Sequence, residues 1–398
     1  MDDKYLREAA HSESINTIEV VLNNPVSDNK PISSIAINRL AFADGLRGFA
    51  AFWVVLYHMS EGKHLENLKP LIPQSLCAAI FDAGHLGVGV FFVLSGFVMT
   101  FTVRQATVNR VFAVNFLLRR MIRLTPPYYF AILVTLALAF VKGKVLGLPY
   151  EFPNVTQLLA HAFYVQGLLS IPHFNVVYWT LCIEVQFYIA FALAFFVADR
   201  TGGRFGNITA RTVLVGLMAI AALGWPLGLI STPVWPGAFL EFWFSFLAGV
   251  MVCWGLLMGG YFRLFSIIFC LVLLVAGWLN ASQLTVTVGV TGLLMSCASA
   301  LGRMNSWLNW RWIQWLALIS YSLYLLHNPI TGMSFRVVHM LMPSGITGDL
   351  TGFAITLVCC LIGSYLAYLL IEKPCIRWSH AISLNKTPAR DDLQNGKE

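Results

Sequence analysis

Ten apolar stretches, each of a length that can cross a bilayer, constrain the fold of this chain most. They lie at about residues 42–60, 84–103, 127–147, 177–198, 211–230, 237–258, 262–279, 283–301, 313–331 and 350–371. The hydrocarbon core of a bilayer is about 30 Å thick, so that a helix crosses it in about 20 residues. Only 11% of the chain is charged, whereas soluble domains average about 25%. We predict an all-α fold, a polytopic integral membrane helical bundle of about ten transmembrane helices.

The distribution of basic residues predicts the orientation of this bundle. With the N-terminus placed inside, the internal tails and loops contain 20 of the 26 Lys and Arg residues, the external loops contain five, and Arg47 lies within the first span. Positive charge accumulates on the cytoplasmic side of membrane proteins. We therefore expect both termini to be cytoplasmic. The net charge of +7 then reflects topology, and no nucleic-acid partner is expected.

Polar, aperiodic sequence flanks the apolar region. Residues 1–38 and 379–398 cannot bury enough apolar surface to stay ordered, which predicts flexible cytoplasmic tails around one membrane domain at 39–378. Residues 1–38 also lack the apolar core of a secretory signal, so that we expect the first membrane helix to be retained. The eight cysteines lie mostly in apolar segments without a CxxC pair, and we expect neither disulfides nor a metal site.

Three ionisable residues of the first span are candidate catalytic residues. At about 100° per residue, Arg47 and His58 are about three turns plus 20° apart, and Asp44 lies about 40° to the other side of His58. Ionisable groups are costly inside a bilayer, so this shared face predicts a polar site. His58 would lie about 16 Å nearer the outside than Arg47. The alternative is a core histidine bonded to a backbone carbonyl.

Glu184 is the second anchor of the predicted site. Its helix descends from outside, which places Glu184 about 10 Å below the external surface, near the expected depth of His58. A buried carboxylate beside a histidine fixes its tautomer and favours the imidazolium, as general-base catalysis requires. We therefore expect Glu184 to orient His58. The alternative is a helix-packing hydrogen bond to Trp or Tyr.

Three arginines lie just before the third span, which opens at a proline pair. Arg119, Arg120 and Arg123 are either topology determinants or a phosphate site, since guanidinium forks and free helix N-terminal donors bind phosphate. A cytoplasmic cofactor such as coenzyme A would suit them, and Tyr128 follows directly. Ser95 lies at mid-membrane depth where it could contact a thioester, but outside any GxSxG elbow, and we do not predict it as a nucleophile.

Further candidates lie near the external ends of other spans. His327 and Tyr324 belong to the ninth span and Trp179 to the fourth, and we assign them to acceptor binding. The alternative for His327 is a residue that merely marks the interface.

The motifs together resemble those of membrane acyltransferase family three, which includes bacterial O-antigen, peptidoglycan and exopolysaccharide O-acetyltransferases. The resemblance covers about residues 40–378 and rests on Asp44-Gly-Leu-Arg47-Gly with His58, Gly87-Val-Gly-Val-Phe-Phe-Val-Leu-Ser95-Gly96-Phe97, Arg119-Arg120-Met-Ile-Arg123-Leu-Thr-Pro126-Pro127-Tyr128, Trp179-Thr-Leu-Cys-Ile-Glu184, Ser320-Tyr-Ser-Leu-Tyr-Leu-Leu-His327 and Glu372-Lys-Pro374.

This resemblance implies transfer of an acyl group, usually acetyl from acetyl-CoA or another acyl-CoA, to a hydroxyl of a carbohydrate or glycolipid acceptor. It also implies a multi-pass protein of the bacterial inner (plasma) membrane. Members often have an Arg shortly before the Glu of the sixth span. Here Gly237-Ala-Phe-Leu precedes Glu241, which leaves a role for Glu241 open.

The resulting hypothesis is a membrane O-acyltransferase. The arginine group, with Arg47, would hold the CoA phosphates inside, and His58 would remove the proton of the acceptor hydroxyl as it attacks the thioester. A second route makes His58 a covalent acyl carrier. The main rival is a proton-coupled secondary transporter, since intramembrane His, Arg and Glu can relay protons. A third possibility is a catalytically silent scaffold. The acceptor and the acyl length stay open.

Overall fold

A computed structural model describes residues 40–202, 206–230, 235–343 and 345–384. All regular elements in these ranges are helical, as predicted. The α-helices are α1 Ala41–Glu61, α2 Gln74–Ile80, α3 Gly87–Val103, α4 Arg110–Leu146, α5 Val155–Ala162, α6 Trp179–Thr201, α7 Asn207–Ala222, α8 Trp243–Met258, α9 Gly260–Leu279, α10 Gln283–Ala300, α11 Arg311–Leu341, α12 Ile346–Ala367 and α13 Lys373–Ala381. Short 3-10 helices at Lys69–Leu71, Asp82–Leu86, Val176–Tyr178 and Phe239–Phe242 and a π-helix at Tyr368–Glu372 complete them.

Seven helical segments of the described chain are long and apolar enough to cross a membrane. They are Gln74–Val103, Arg110–Leu146, Val176–Thr201, Phe239–Met258, Gly260–Leu279, Gln283–Ala300 and Ile346–Ala381. Helix α7 is apolar but shorter, and α1 carries the polar residues singled out above. A helical membrane bundle is thereby supported. The number of ten spans and the cytoplasmic termini stay predictions.

Helices α1 and α11 pack side by side in the same direction. Near their N-termini, the Gln314 side-chain amide donates to the Ala41 carbonyl at 2.8 Å. Further along, a Cβ atom on Gly48 would collide with the backbone of Ala317. Such small residues allow close approach of membrane helices. Because the two helices stay together over the length of α1, residues near the C-terminus of α1 meet residues in the middle of α11.

Helices α3 and α8 cross at two glycines. A Cβ atom on Gly96 would overlap the Phe246 carbonyl, and one on Gly249 would overlap the Val93 carbonyl. The Phe246 ring stacks on Phe92 at 4.6 Å between ring centroids. The glycine-rich motif around Ser95 therefore permits close packing of these two helices.

The arginine-bearing end of α4 is tied to the last helix. Arg119 donates from Nε to the Ile382 carbonyl at 2.6 Å, and Asn115 donates to the Ser383 carbonyl at 2.8 Å. Helix α13 thus extends past the domain boundary that we placed at residue 378. The tail predicted for 1–38 lies outside the described residues, as does the part of the second tail beyond residue 384.

Candidate active site

The predicted polar face of α1 begins with an ion pair. Arg47 donates from Nη2 to the Asp44 carboxylate at 3.0 Å, one turn earlier on the helix. The Nε atom of Arg47 is buried and has no hydrogen-bond partner in the described part of the chain. Asp44 therefore holds the guanidinium at the N-terminal end of α1, with one donor unused.

His58, at the other end of α1, is bonded to an acid. Its Nδ1 atom lies 2.8 Å from the Glu61 carboxylate, three residues later on the same helix. A carboxylate only accepts hydrogen bonds, so Nδ1 carries the proton and Nε2 keeps its lone pair. The alternative of a backbone-bonded core histidine is thus excluded for Nδ1. The partner of His58 is corrected from Glu184 to Glu61, because the i, i+3 spacing places Glu61 against the ring.

Glu184 is engaged elsewhere, between α3 and α6. Its Oε1 atom accepts from the Ser95 hydroxyl at 3.1 Å and from the Tyr188 hydroxyl. Tyr188 lies one turn later on the same helix, so its bond to Glu184 is intrahelical, and the bond from Ser95 is the one that joins α3 to α6. The Arg120 guanidinium lies 5.7 Å from the centroid of the Tyr188 ring and interacts electrostatically with Glu184. Ser95, Glu184 and Arg120 therefore form one polar cluster inside the bundle.

The arginine group is brought together, since all three guanidiniums interact electrostatically with His380 and Arg119 also with Arg120. Arg119 uses Nε on the Ile382 carbonyl, which leaves its terminal nitrogens for other partners. Arg120 interacts electrostatically with Arg123 and Arg47. Three guanidiniums, from Arg47, Arg120 and Arg123, thus approach one region from two helices, as a phosphate site requires.

Glu372, from the Glu372-Lys-Pro374 motif, is a buried acid. Its side chain is 2% exposed and accepts from the hydroxyl and the backbone N–H of Ser322 at 2.6 and 3.2 Å. It also interacts electrostatically with Arg123 and Arg47. Glu372 therefore joins the π-helix to α11 and faces the arginines. The Glu372-Lys-Pro374 motif was the signal for it.

Tyr128 serves packing rather than the arginine region. It is fully buried, stacks on Tyr164 at 4.8 Å between ring centroids, and accepts from the Gln166 side-chain amide at 3.2 Å. Its hydroxyl is therefore already occupied, and nothing in its contacts favours the predicted role in cofactor binding.

His327 lies beside His58, which the sequence analysis did not foresee. The ring centroids are 5.0 Å apart, and His327 is 0% exposed. Its Nδ1 atom is 2.8 Å from the Tyr324 carbonyl and 3.1 Å from the Leu323 carbonyl. Carbonyl oxygens only accept, so Nδ1 carries the proton. Its buried Nε2 atom has no partner among the residues that the structure describes.

The other two candidate acceptor residues, Tyr324 of α11 and Trp179 of α6, lie near the start of α6. The Tyr324 hydroxyl is 2.8 Å from the Thr180 hydroxyl, and its ring centroid is 5.9 Å from that of His327. Trp179, next to Thr180, lines a cavity of about 390 Å³. Hydrogen bonds and ring contacts thus connect this cavity wall to the two imidazoles.

Comparison with known proteins identifies the family. A family model described as an acyltransferase domain matches residues 40–369. The chain belongs to this acyltransferase family, which confirms the resemblance seen in the motifs.

Two curated relatives give the range of similarity. "O-acetyltransferase OatA" of Staphylococcus aureus is 28% identical over 195 residues, which cover 45% of this chain and 28% of OatA. "Putative peptidoglycan O-acetyltransferase YrhL" of Bacillus subtilis is 25% identical over 373 residues, which cover 83% of this chain and 54% of YrhL. The match thus spans about a quarter of one relative and half of the other. No solved structure matches this chain.

Proposed function

We propose that this chain is an O-acetyltransferase of the bacterial plasma membrane that moves an acetyl group from acetyl-CoA to a hydroxyl of a carbohydrate or glycoconjugate. Membership in the acyltransferase family supports acyl transfer, and the names of the relatives describe O-acetyl transfer, in one case to peptidoglycan. The observation that carries the proposal is His58, whose Nδ1 is fixed by Glu61 and whose Nε2 is free to take a proton.

The arginine region is proposed as the donor site. Arg47, Arg120 and Arg123 offer several N–H groups to the phosphates of CoA, and charge-assisted bonds of this kind are about twice as strong as neutral ones. With the predicted topology, this end of α1 and α4 faces the cytoplasm, where acetyl-CoA is available. The pantetheine arm would then extend along α1, past the cluster of Ser95 and Glu184, toward His58.

The transfer step uses one proton in two places. His58 Nε2 takes the proton of the acceptor hydroxyl as its oxygen attacks the thioester carbonyl and the new C–O bond forms. The C–S bond then breaks, and the leaving thiolate takes the proton from the imidazolium to give free CoA. The Glu61 carboxylate holds the ring and stabilises the imidazolium during this exchange. His327, with a bare Nε2 beside His58, is proposed to accept a hydrogen bond from a second hydroxyl of the acceptor.

The route with a covalent acyl-histidine uses the same residues. His58 Nε2 would attack the thioester carbonyl, the C–S bond would break, and CoA would leave as the thiol with a proton from water. The acceptor hydroxyl would then displace the imidazole to form the ester and return its proton to water. Ping-pong kinetics distinguish this route from direct transfer.

The proposal is tested with the purified protein in detergent. Release of free CoA from acetyl-CoA is measured in the presence of envelope glycan from the host strain, for the wild type, His58→Ala and the control His339→Ala, whose ring is exposed. We expect release by the wild type and the control and its loss in His58→Ala. A secondary transporter would release no CoA in any variant, and that result would overturn the proposal.

A further inference from the structure

The cavity beside Trp179 lies at the start of α6, nine residues or about 13 Å along the helix from Tyr188, next to which the Arg120 guanidinium lies. Helix α6 runs from this cavity to Asp199, which pairs with Arg211 and accepts from the Val108 N–H just before α4. The cavity volume of about 390 Å³ falls in the range of small-molecule sites, about 300–1,000 Å³. Its lining includes Ser170, His173, Trp179, Gly237, Glu241 and Phe242.

The wall of this pocket is fixed by a glycine contact and an amide clamp. Gly237 has a positive φ of 71°, and a Cβ atom there would overlap the backbone of Gly167. The Gln186 side chain donates to the Gly237 carbonyl at 2.8 Å and accepts from the Phe239 N–H at 3.2 Å. Two loop segments are thus held in place at the wall of the cavity.

One side of the pocket is aromatic. The rings of Trp179 and Phe242 lie 5.3 Å apart between centroids, and both contact Phe92 behind them. The negative face of an aromatic ring attracts groups with positive edges. The C–H face of a pyranose ring is such a group, and it is also flat enough to stack on an indole.

The polar side of the pocket contains a carboxylate and an imidazole, from Glu241 and His173. Within the described ranges, no residue forms a hydrogen bond or ion pair with Glu241, and no Lys or Arg lines the pocket. The Nδ1 atom of His173 is buried without a partner in the same ranges. Burial and the neighbouring His161 lower the pKa of His173, which keeps its ring neutral near pH 7. The pocket thus repels anions and offers acceptors to hydroxyl groups, which a carboxylate can bind two at a time.

We propose that this pocket binds an uncharged sugar ring of the acceptor, stacked on Trp179 with its hydroxyls held by Glu241. The inference deepens the proposed function and rests on it for the identity of the ligand as acceptor. Two contacts connect the pocket to the imidazoles: Thr180 is bonded to Tyr324, and Tyr324 lies against His327. The neutral acceptor therefore binds beside the start of α6, and the anionic donor binds at the arginines.

Binding of labelled oligosaccharides to the full chain in detergent micelles tests this pocket. The probes are uncharged oligomers of glucose, galactose, rhamnose and N-acetylglucosamine, with oligogalacturonate as the anionic comparison, and fluorescence polarisation is the readout. Trp179→Ala and Glu241→Gln change the pocket. Trp278→Ala and Glu151→Gln remove the same groups at exposed positions. Trp179→Phe keeps an aromatic face should the alanine variant fold poorly, which thermal unfolding reports.

We expect saturable binding of at least one uncharged oligomer, weakened about tenfold by each pocket variant, since Glu241→Gln removes a charge-assisted hydrogen bond and Trp179→Ala removes the stacking face. The two control variants should bind as the wild type does. Absence of binding by every uncharged oligomer, tighter binding of oligogalacturonate, or binding that ignores both pocket variants would overturn the proposal. Acetyl transfer is measured separately. Oligosaccharide binding without acetyl transfer would contradict the proposed function, and acetyl transfer that is unaffected by the two pocket variants would contradict the proposed pocket.

Discussion

The imidazoles of His58 and His327 lie 5.0 Å apart between ring centroids, one near the end of α1 and the other in the middle of α11. In each ring Nδ1 is bonded to a group that only accepts, the Glu61 carboxylate for His58 and backbone carbonyls for His327. Nε2 therefore carries no proton in either ring. This arrangement gives the proposed site two nitrogens that can accept hydrogen bonds from two hydroxyls of the acceptor.

Glu61 should contribute to rate more than to binding. In Glu61→Gln the amide can still contact the ring but stabilises the imidazolium less, so we expect kcat to fall about ten- to hundredfold, part of the 10²–10⁴ that general-base catalysis supplies. The KM for acetyl-CoA should stay unchanged. Steady-state CoA release measures both constants, with Glu66→Gln as the matched exposed control. An unchanged kcat would remove Glu61 from the mechanism.

Removal of the second imidazole should also lower the rate. His327→Phe retains an aromatic ring of similar size and loses both nitrogens, and we expect kcat to fall about tenfold or more, the scale of one lost hydrogen bond. Cys360→Ala is the control, because its thiol donates to the His327 carbonyl at 3.7 Å without touching the ring nitrogens. Equal rates for wild type and His327→Phe, with unfolding temperatures matched, would show that His327 only packs against His58.

The arginines should recognise the phosphates of the donor. In Arg120→Gln and Arg123→Gln we expect the KM for acetyl-CoA to rise about tenfold, as one charge-assisted hydrogen bond is lost. The KM for acetyl-pantetheine, which lacks the phosphates, should stay the same in both. Arg200→Gln changes an exposed arginine elsewhere on the bundle and should leave both constants unchanged. A parallel rise for the two donors would contradict a phosphate site.

Acid should destabilise the segment around His64. This ring stacks on Phe335 at 4.4 Å between centroids, and burial, with His339 and Arg336 nearby, lowers its pKa from 6.5. The unfolded state therefore binds a proton before the folded state does, and stability falls as the pH drops below 6.5. His64→Phe keeps the stacking and should reduce the loss of Tm between about pH 7.5 and about pH 5. His85→Asn, at an exposed ring, should leave the loss as in the wild type, and the same loss in His64→Phe would refute this account.

Helix positions and family membership could be predicted from the sequence because both depend on local pattern. Each predicted span overlaps a helix of the described chain, since length and hydropathy decide membrane helices. The face shared by Arg47 and His58 was predicted from helix geometry alone. The order of the motifs indicated the family.

The partners of the site residues depended on packing that no local pattern encodes. Glu61 lay just past the predicted end of the first span, so its bond to His58 was missed although the i, i+3 spacing could have indicated it. Glu184 was assigned by depth alone, and depth does not distinguish His58 from Ser95 on a neighbouring helix. The sugar pocket combines the loop at 167–173 with Glu241, segments that are distant in sequence and lack periodicity.

The contact of Gly48 with the backbone of Ala317 sets the alignment of α1 with α11, and thereby the distance between His58 and His327. It fixes how far α1 can slide along α11, and a slip of one turn would shift one helix by about 5.4 Å against the other. His58 lies ten residues, about 15 Å, beyond this crossing, so a bulkier residue at position 48 would separate the two imidazoles without touching either. The spacing of the two imidazoles that we propose for catalysis is thus set by a missing side chain about a third of the way along α1.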